Sequence, residues 1–179
     1  MNRENYIELK IPIRDNAQWC SELRMAMLDE KIPVRWQKGF YHITIVFVND
    51  DMHVAELKNA FSKVLTTRKA PMITLDKLEA FRTQGGREIV INLAPSNPSP
   101  ELSALINDLR KAATDLGANI NPNFFIHVTL GRIDAHEADL NEVKRILSSI
   151  SLPIITLPIR EVEYLYRQNH TSICRWTLT

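Results

Sequence analysis

Apolar and polar positions along the chain mark out strands and helices in mixed order. Tyr6 to Ile13 alternates as a strand, and Pro12 confines it to an end or an edge. Trp19, Leu23, Met27 and Leu28 then recur at helical spacing, with Asp15 as a candidate cap and Pro33 as the stop. Val34 to Trp36 reads as a short strand, and Gly39 marks a turn. Tyr41 to Val48 is a run of apolar and β-branched residues that predicts a largely buried strand. After the turn and cap cluster Asn49-Asp50-Asp51, the residues Val54, Leu57, Phe61, Val64 and Leu65 give the strongest helix pattern in the chain.

The second half runs in the same way. Met72 to Phe81 and Glu88 to Ala94 predict two strands joined across the turn signal Gln84-Gly85-Gly86. Pro95 to Pro100 is a linker or loop, with Ser99 as N-cap and Pro100 as the first helical residue. Leu102, Leu105, Leu109, Ala112, Ala113 and Leu116 form the apolar face of the helix this opens, and Gly117 closes it. Phe124 to Ile133 predicts a second buried strand, followed by a helix from Asp139 through Leu140, Val143, Ile146 and Leu147. Leu152 to Thr156 and a hairpin of Ile159 to Arg167 with Thr171 to Leu178 complete the chain. About eight strands and four helices in this order predict an α+β protein. The shared order of helix, loop, buried strand and helix predicts an internal duplication with pseudo-two-fold symmetry.

The two buried strands carry the same phrase, His42-Ile43-Thr44-Ile45 and His127-Val128-Thr129-Leu130. Residues two apart in a strand share a face, so each copy presents an imidazole beside a hydroxyl. With five His and eleven Thr in 179 residues, chance supplies about 0.3 such triplets per chain. One copy alone reads most simply as a strand histidine beside a strand threonine; the pair shifts the balance.

A pair suits displacement at phosphorus. One group must take a proton from the nucleophile and another must give one to the leaving oxygen, and histidine fills either role near neutral pH. The threonine hydroxyls can donate to the non-bridging oxygens. The arrangement calls for no metal and no other cofactor.

His42-Ile43-Thr44-Ile45-Val46-Phe47-Val48 and Phe125-Ile126-His127-Val128-Thr129-Leu130-Gly131-Arg132 resemble the two signature strands of the 2H phosphoesterases, specifically the group of 2'-5' RNA ligases and RNA 2',3'-cyclic phosphodiesterases. The separation of 85 positions from His42 to His127 suits that group, and Tyr6 to Pro12, Val34-Arg35-Trp36 and Tyr164 to Leu178 are similar to its other segments. Asn49 stands where the family often has Gly, and Ile126 where it often has Pro; neither touches the His or Thr positions. The resemblance implies one domain over residues 1–179, with two lobes of antiparallel strands, helices packed outside, and a central groove holding both His-x-Thr pairs. It implies His42 and His127 as catalytic residues, with Thr44 and Thr129 holding the substrate phosphate. The implied activity is opening of 2',3'-cyclic phosphates at RNA or nucleotide ends to leave 2'-phosphates, with reverse 2'-5' ligation open to the same site. Cleavage of 2'-5' oligonucleotides and non-catalytic binding of RNA ends are the rival readings.

Arg132 divides pattern from resemblance. Strict alternation turns it away from His127 and Thr129, whereas the resemblance makes it a phosphate-binding residue and requires a bulge, for which Gly131 is the candidate. Trp36, Tyr164 and Tyr166 read either as base-stacking surface or, more ordinarily, as core and rim aromatics. His53 and His136 read as solvated or structural, and Arg82 and Arg87 flank a hairpin tip.

Composition adds limits. At 45% hydrophobic, 24% charged and a net charge of +1, the chain is of ordinary globular composition and excludes an extended nucleic-acid-coating surface, while leaving room for a small basic groove. Cys20 and Cys174 read as reduced thiols. With no apolar leader or membrane-length run, the expectation is a cytoplasmic monomer whose partner is RNA or a nucleotide with a cyclic phosphate end.

Overall fold

The computed structural model describes residues 5–14, 17–48 and 53–179. The Asp15 cap and the Asn49-Asp50-Asp51 cluster lie outside them. The first half of the chain forms β1 (Asn5–Ile11), α1 (Gln18–Asp29), β2 (Arg35–Trp36), β3 (Tyr41–Val48), α2 (Val54–Leu65), β4 (Met72–Leu75) and β5 (Lys77–Arg82). The second forms β6 (Glu88–Ala94), α3 (Pro100–Asp115), β7 (Val128–Asp134), α4 (Leu140–Ser148), β8 (Ile155–Pro158), β9 (Glu161–Tyr166) and β10 (Ser172–Thr177). Every paired strand is antiparallel, as an α+β fold requires.

Two four-stranded sheets run in the orders β10-β9-β1-β3 and β2-β7-β6-β5, and β4 pairs with β8 in a third, two-stranded sheet. With β2 and β10 set aside, β1-α1-β3-α2-β4-β5 and β6-α3-β7-α4-β8-β9 are the same sequence of elements. The halves are laced together. β5 lies beside β6 and β9 beside β1, so each half gives its last strand to the other's sheet, while β4 and β8 pair with each other. One contiguous apolar cluster joins Ile7 and Ile43 of the first sheet to Ile91 and Val128 of the second, with Phe61, Leu105 and Val143 from the helices.

Several expected boundaries move. Met72 to Phe81 is not one strand, because Asp76 breaks it: its carboxylate accepts from the Ser96 N–H at 2.7 Å and its own N–H donates to Ala94 at 3.3 Å. β8 starts at Ile155 rather than Leu152, since its partner β4 offers only four residues. The second motif strand starts at Val128 rather than Phe124, because Leu93–Val128 is the last rung between β6 and β7. His127 therefore sits just beyond the ladder. Ser99 and Asp139 cap their helices as expected, accepting from Leu102 and from Asn141 and Glu142. α1 starts after Ala17, which provides no side-chain cap, and ends at Asp29, with Lys31 at φ 58° turning the chain before Pro33.

Tyr164 is fully buried and meets Phe61 of α2 edge-on at 5.3 Å, so it belongs to the core rather than to a groove. Trp36 is half-buried, with the Arg24 guanidinium 5.6 Å from its ring. Neither Cys20 nor Cys174 is in a disulfide among the described residues. Among the described residues, no helix is long and apolar enough to cross a membrane.

Candidate active site

Both motif strands contain a bulge at the same place. Between β1 and β3 the register passes from Ile7–Val46 to Glu8–Thr44, skipping Ile45. Between β6 and β7 it passes from Ile91–Gly131 to Asn92–Thr129, skipping Leu130. In each strand the extra residue directly follows the motif threonine, and it shifts the alternation by one. The residue five after each histidine thus returns to the face of the His-x-Thr pair. In β3 that residue is Phe47, and in β7 it is Arg132.

A groove of about 740 Å³ collects these faces. His42, Thr44, His127, Thr129 and Arg132 all line it, together with Phe47, Phe81, Arg82, Arg110 and Phe125. All five residues singled out from the sequence are thus brought together. Gly131 does not make the bulge. It gives room to β2, since a Cβ there would lie 2.6 Å from Val34 Cγ1 and 3.0 Å from Trp36 Cε3.

The histidines are oriented alike. His42 Nδ1 lies 3.3 Å from the carbonyl of Phe40, and His127 Nδ1 lies 3.1 Å from the carbonyl of Phe125. A carbonyl can only accept, so Nδ1 carries the proton in both rings and Nε2 is the nitrogen left for proton transfer. Their surroundings differ. The Phe125 ring stacks on His127 at 4.6 Å, and Phe81 meets it edge-on at 5.4 Å. Burial pushes His127 below the usual imidazole range, and the charges of Arg132 and His42 add to this against the opposing hydrogen bond to Phe125. His42 Nε2 instead lies 3.6 Å from the Glu8 carboxylate.

Residues 14–171 match the family described as the 2'-5' RNA ligase superfamily. The chain belongs to this superfamily, within the 2H phosphoesterases. No protein of curated function matches. Among solved structures, the apo form of Escherichia coli LigT is similar at 18% identity and a TM-score of 0.59, covering 99% of this chain and 98% of that one. E. coli LigT with 3'-AMP is similar at 20% identity and 0.58, with 99% and 98% covered. Kluyveromyces marxianus Usb1 with uridine monophosphate reaches 0.70 at 10% identity, with 99% of each chain covered. At these identities the likeness concerns the fold, and it is the pseudo-symmetric 2H fold described above.

In this 2H phosphoesterase, Arg132 is tethered at the groove wall. Its Nη1 donates to Glu88 at 2.9 Å, and Glu88 also takes Arg35 Nη2 at 2.7 Å. Arg35 in turn pairs with Asp134 at 2.8 Å. The one group with metal-like spacing among the described residues is Asp134, His136 and Glu137, at the end of β7 and in the turn after it, apart from both motifs. His53 is the N-cap residue of α2 and lies in no such group. Arg82 lines the groove, whereas Arg87 lines a separate cavity with Glu88 and Asp134.

Several residues in the groove or beside it escape the sequence reading. Phe47 is hidden by the bulge, and Phe81 and Phe125 pass for core aromatics. Glu8 passes for a solvent-facing strand residue, yet it is 2% exposed. The available signal was Glu8 with Lys10, two charged residues on one face of a strand that carries no other charge.

Proposed function

We propose that residues 1–179 act as one unit whose two lobes each supply a His-x-Thr strand. In this reading the chain is a metal-independent phosphodiesterase that opens 2',3'-cyclic phosphate ends of RNA or nucleotides to 2'-phosphates. One observation carries the reading: two imidazoles, each anchored through Nδ1 to the carbonyl two residues back, share one groove with two threonines on matching faces. His127, held neutral by its surroundings, takes a proton from water as the water oxygen attacks phosphorus. His42 gives a proton to the 3'-oxygen as the bond from phosphorus to that oxygen breaks. Thr44 and Thr129 donate to the non-bridging oxygens, and Arg132 offsets the charge that gathers there. Family analogy supplies the choice of the 3'-oxygen as leaving group. A 5'-hydroxyl in place of water turns the same step into 2'-5' ligation. Nucleotides in the related E. coli LigT and K. marxianus Usb1 structures support a nucleotide or RNA end as the partner.

The test is hydrolysis of a nucleoside 2',3'-cyclic phosphate in EDTA by wild type, His42→Ala and His127→Ala. Accumulation of the 2'-monophosphate, reduced by about a thousandfold or more in both variants, is the expected result. Absence of turnover, release of the 3'-monophosphate, or indifference to either histidine overturns the proposal.

A further inference from the structure

Arg35 of β2 and Arg132 of β7 are direct register partners on neighbouring strands. Like charges set opposite one another repel, and Glu88 of β6 bridges them. Its Oε1 accepts from Arg35 Nη2 at 2.7 Å and its Oε2 from Arg132 Nη1 at 2.9 Å. Asp134, the register partner of Glu88, takes the other terminal nitrogen of Arg35, Nη1, at 2.8 Å. Two cations and two anions thus form one row with no net charge. Arg132 is the member of the row that lines the groove, whereas Glu88 and Asp134 line a cavity of about 570 Å³ that shares Thr83 with it.

The groove wall is itself cationic. Among the described residues it carries Arg82, Arg110 and Arg132 and no carboxylate; Glu8, near His42, is bound by Lys10. That charge bears on what the proposed reaction consumes and what it makes. A 2',3'-cyclic phosphate is a diester with one negative charge, and the 2'-phosphate left by its opening is a monoester with close to two at neutral pH. A wall of bare cations would hold the product more tightly than the substrate. A carboxylate fixed beside the phosphate-binding arginine acts the other way, because its repulsion grows in proportion to the charge of the ligand.

Glu88 is restrained from withdrawing when a phosphate arrives. Arg35 holds its second oxygen, and Asp134 holds Arg35 in turn. The Arg132 and Glu88 side chains are partly exposed, at 42% and 30%, so solvent limits the effect to a few-fold per unit of ligand charge.

We infer that Glu88, fixed by Arg35, is a specificity-determining residue: it makes the groove take a singly charged phosphodiester in preference to a doubly charged phosphomonoester, and so lets the opened product leave. The inference rests on the proposed hydrolysis for the placement of a phosphate beside Arg132.

The test is calorimetric titration at a pH of about 7.5 with a 3'-deoxynucleoside 2'-monophosphate, which is doubly charged, and with its phosphate methyl ester, which is singly charged. Without a 3'-hydroxyl neither ligand can cyclise. Wild type is expected to bind the ester at least as tightly as the monophosphate. Glu88→Gln keeps the shape and removes the charge, and it should tighten the ester about threefold and the monophosphate about tenfold. Asp134→Asn removes the same charge from the far end of the row and should change either affinity by about twofold or less. A wild type that prefers the monophosphate tenfold or more, or that binds neither ligand, overturns the inference. So does a Glu88→Gln variant with an unchanged preference, or an Asp134→Asn variant that shifts it equally. The wild-type comparison needs no variant to fold. Neither ligand carries the cyclic phosphate, so the two readings fail separately: a preference for the ester without turnover of the cyclic phosphate sinks only the proposed hydrolysis, and turnover with a preference for the monophosphate sinks only the role of Glu88.

Discussion

Arg110 of α3 donates from Nη1 to the backbone carbonyl of Ile45 at 2.9 Å, at the bulge that follows the first motif. Its Nη2 donates to the carbonyl of Asn121 at 2.6 Å, and its guanidinium lies 4.7 Å from the ring of Phe124. One side chain thus joins the bulge beyond Thr44 to the loop that leads into His127. A carbonyl where the ladder register skips needs a donor from elsewhere, and Arg110 is that donor.

Arg110→Met removes both bonds and leaves two acceptors behind. The expected loss is about 2 to 3 kcal/mol of stability, read from urea denaturation. The turnover of the folded variant should fall as well, since both motifs lose a common brace. A midpoint within error of wild type would show that the brace carries no strain.

At Gly131, substitution meets packed side chains. An added Cβ would lie 2.6 Å from Val34 Cγ1, and Gly131 is the register partner of Trp36. Gly131→Ala should cost about 1 to 3 kcal/mol through forced displacement of β2. Trp36 fluorescence in the folded state should change with it. An alanine variant as stable as wild type would mean that Val34 moves aside freely.

His127 must be neutral to accept a proton, and its pKa is lowered from 6.5. Lowering keeps the neutral form to lower pH, so the acid limb of the rate profile should lie below 6.5. The Arg132 charge contributes to that lowering. Arg132→Met should therefore move the limb upward while also reducing kcat through loss of phosphate contact. A limb that moves downward in this variant would contradict the assignment.

Glu163 has the opposite pH signature. Its pKa falls from 4.5 to about 2 on folding, so the unfolded chain binds the extra proton between those values. Stability from this group is present above pH 4.5 and drains away as pH falls towards 2, on the order of 3 kcal/mol in all. Glu163→Gln should lower stability at neutral pH and flatten its decline in acid, as followed by denaturation between pH 2 and 7. A variant whose acid decline matches wild type would place the acid-sensitive group elsewhere.

The four motif residues were legible because a repeated tetrapeptide needs no knowledge of tertiary structure. The direction of Arg132 was not, because the bulge at Leu130 leaves no mark of its own and the glycine beside it serves Val34 and Trp36 instead. Glu8 was hidden for another reason. A polar residue in a strand reads as facing solvent, yet Glu8 is buried, with Lys10 bonded both to it and to Glu163. The break at Asp76 depends on Ser96, twenty residues away, and no local pattern reports that bond. Helix positions fared better: α2 and α3 carry their own apolar spacing, and the Ser99–Pro100 start is a local signal.

The exchange of end strands has a mechanical consequence. With β5 hydrogen-bonded beside β6 and β9 beside β1, pulling the two halves of the sequence apart would mean tearing ladders. Among the described residues no ladder joins the sheet of β3 to the sheet of β7, so the gauge of the gap between the two motifs is set by the apolar core those sheets share. Selection among phosphodiesters then falls to how the two sheets pack and to the side chains on the rim.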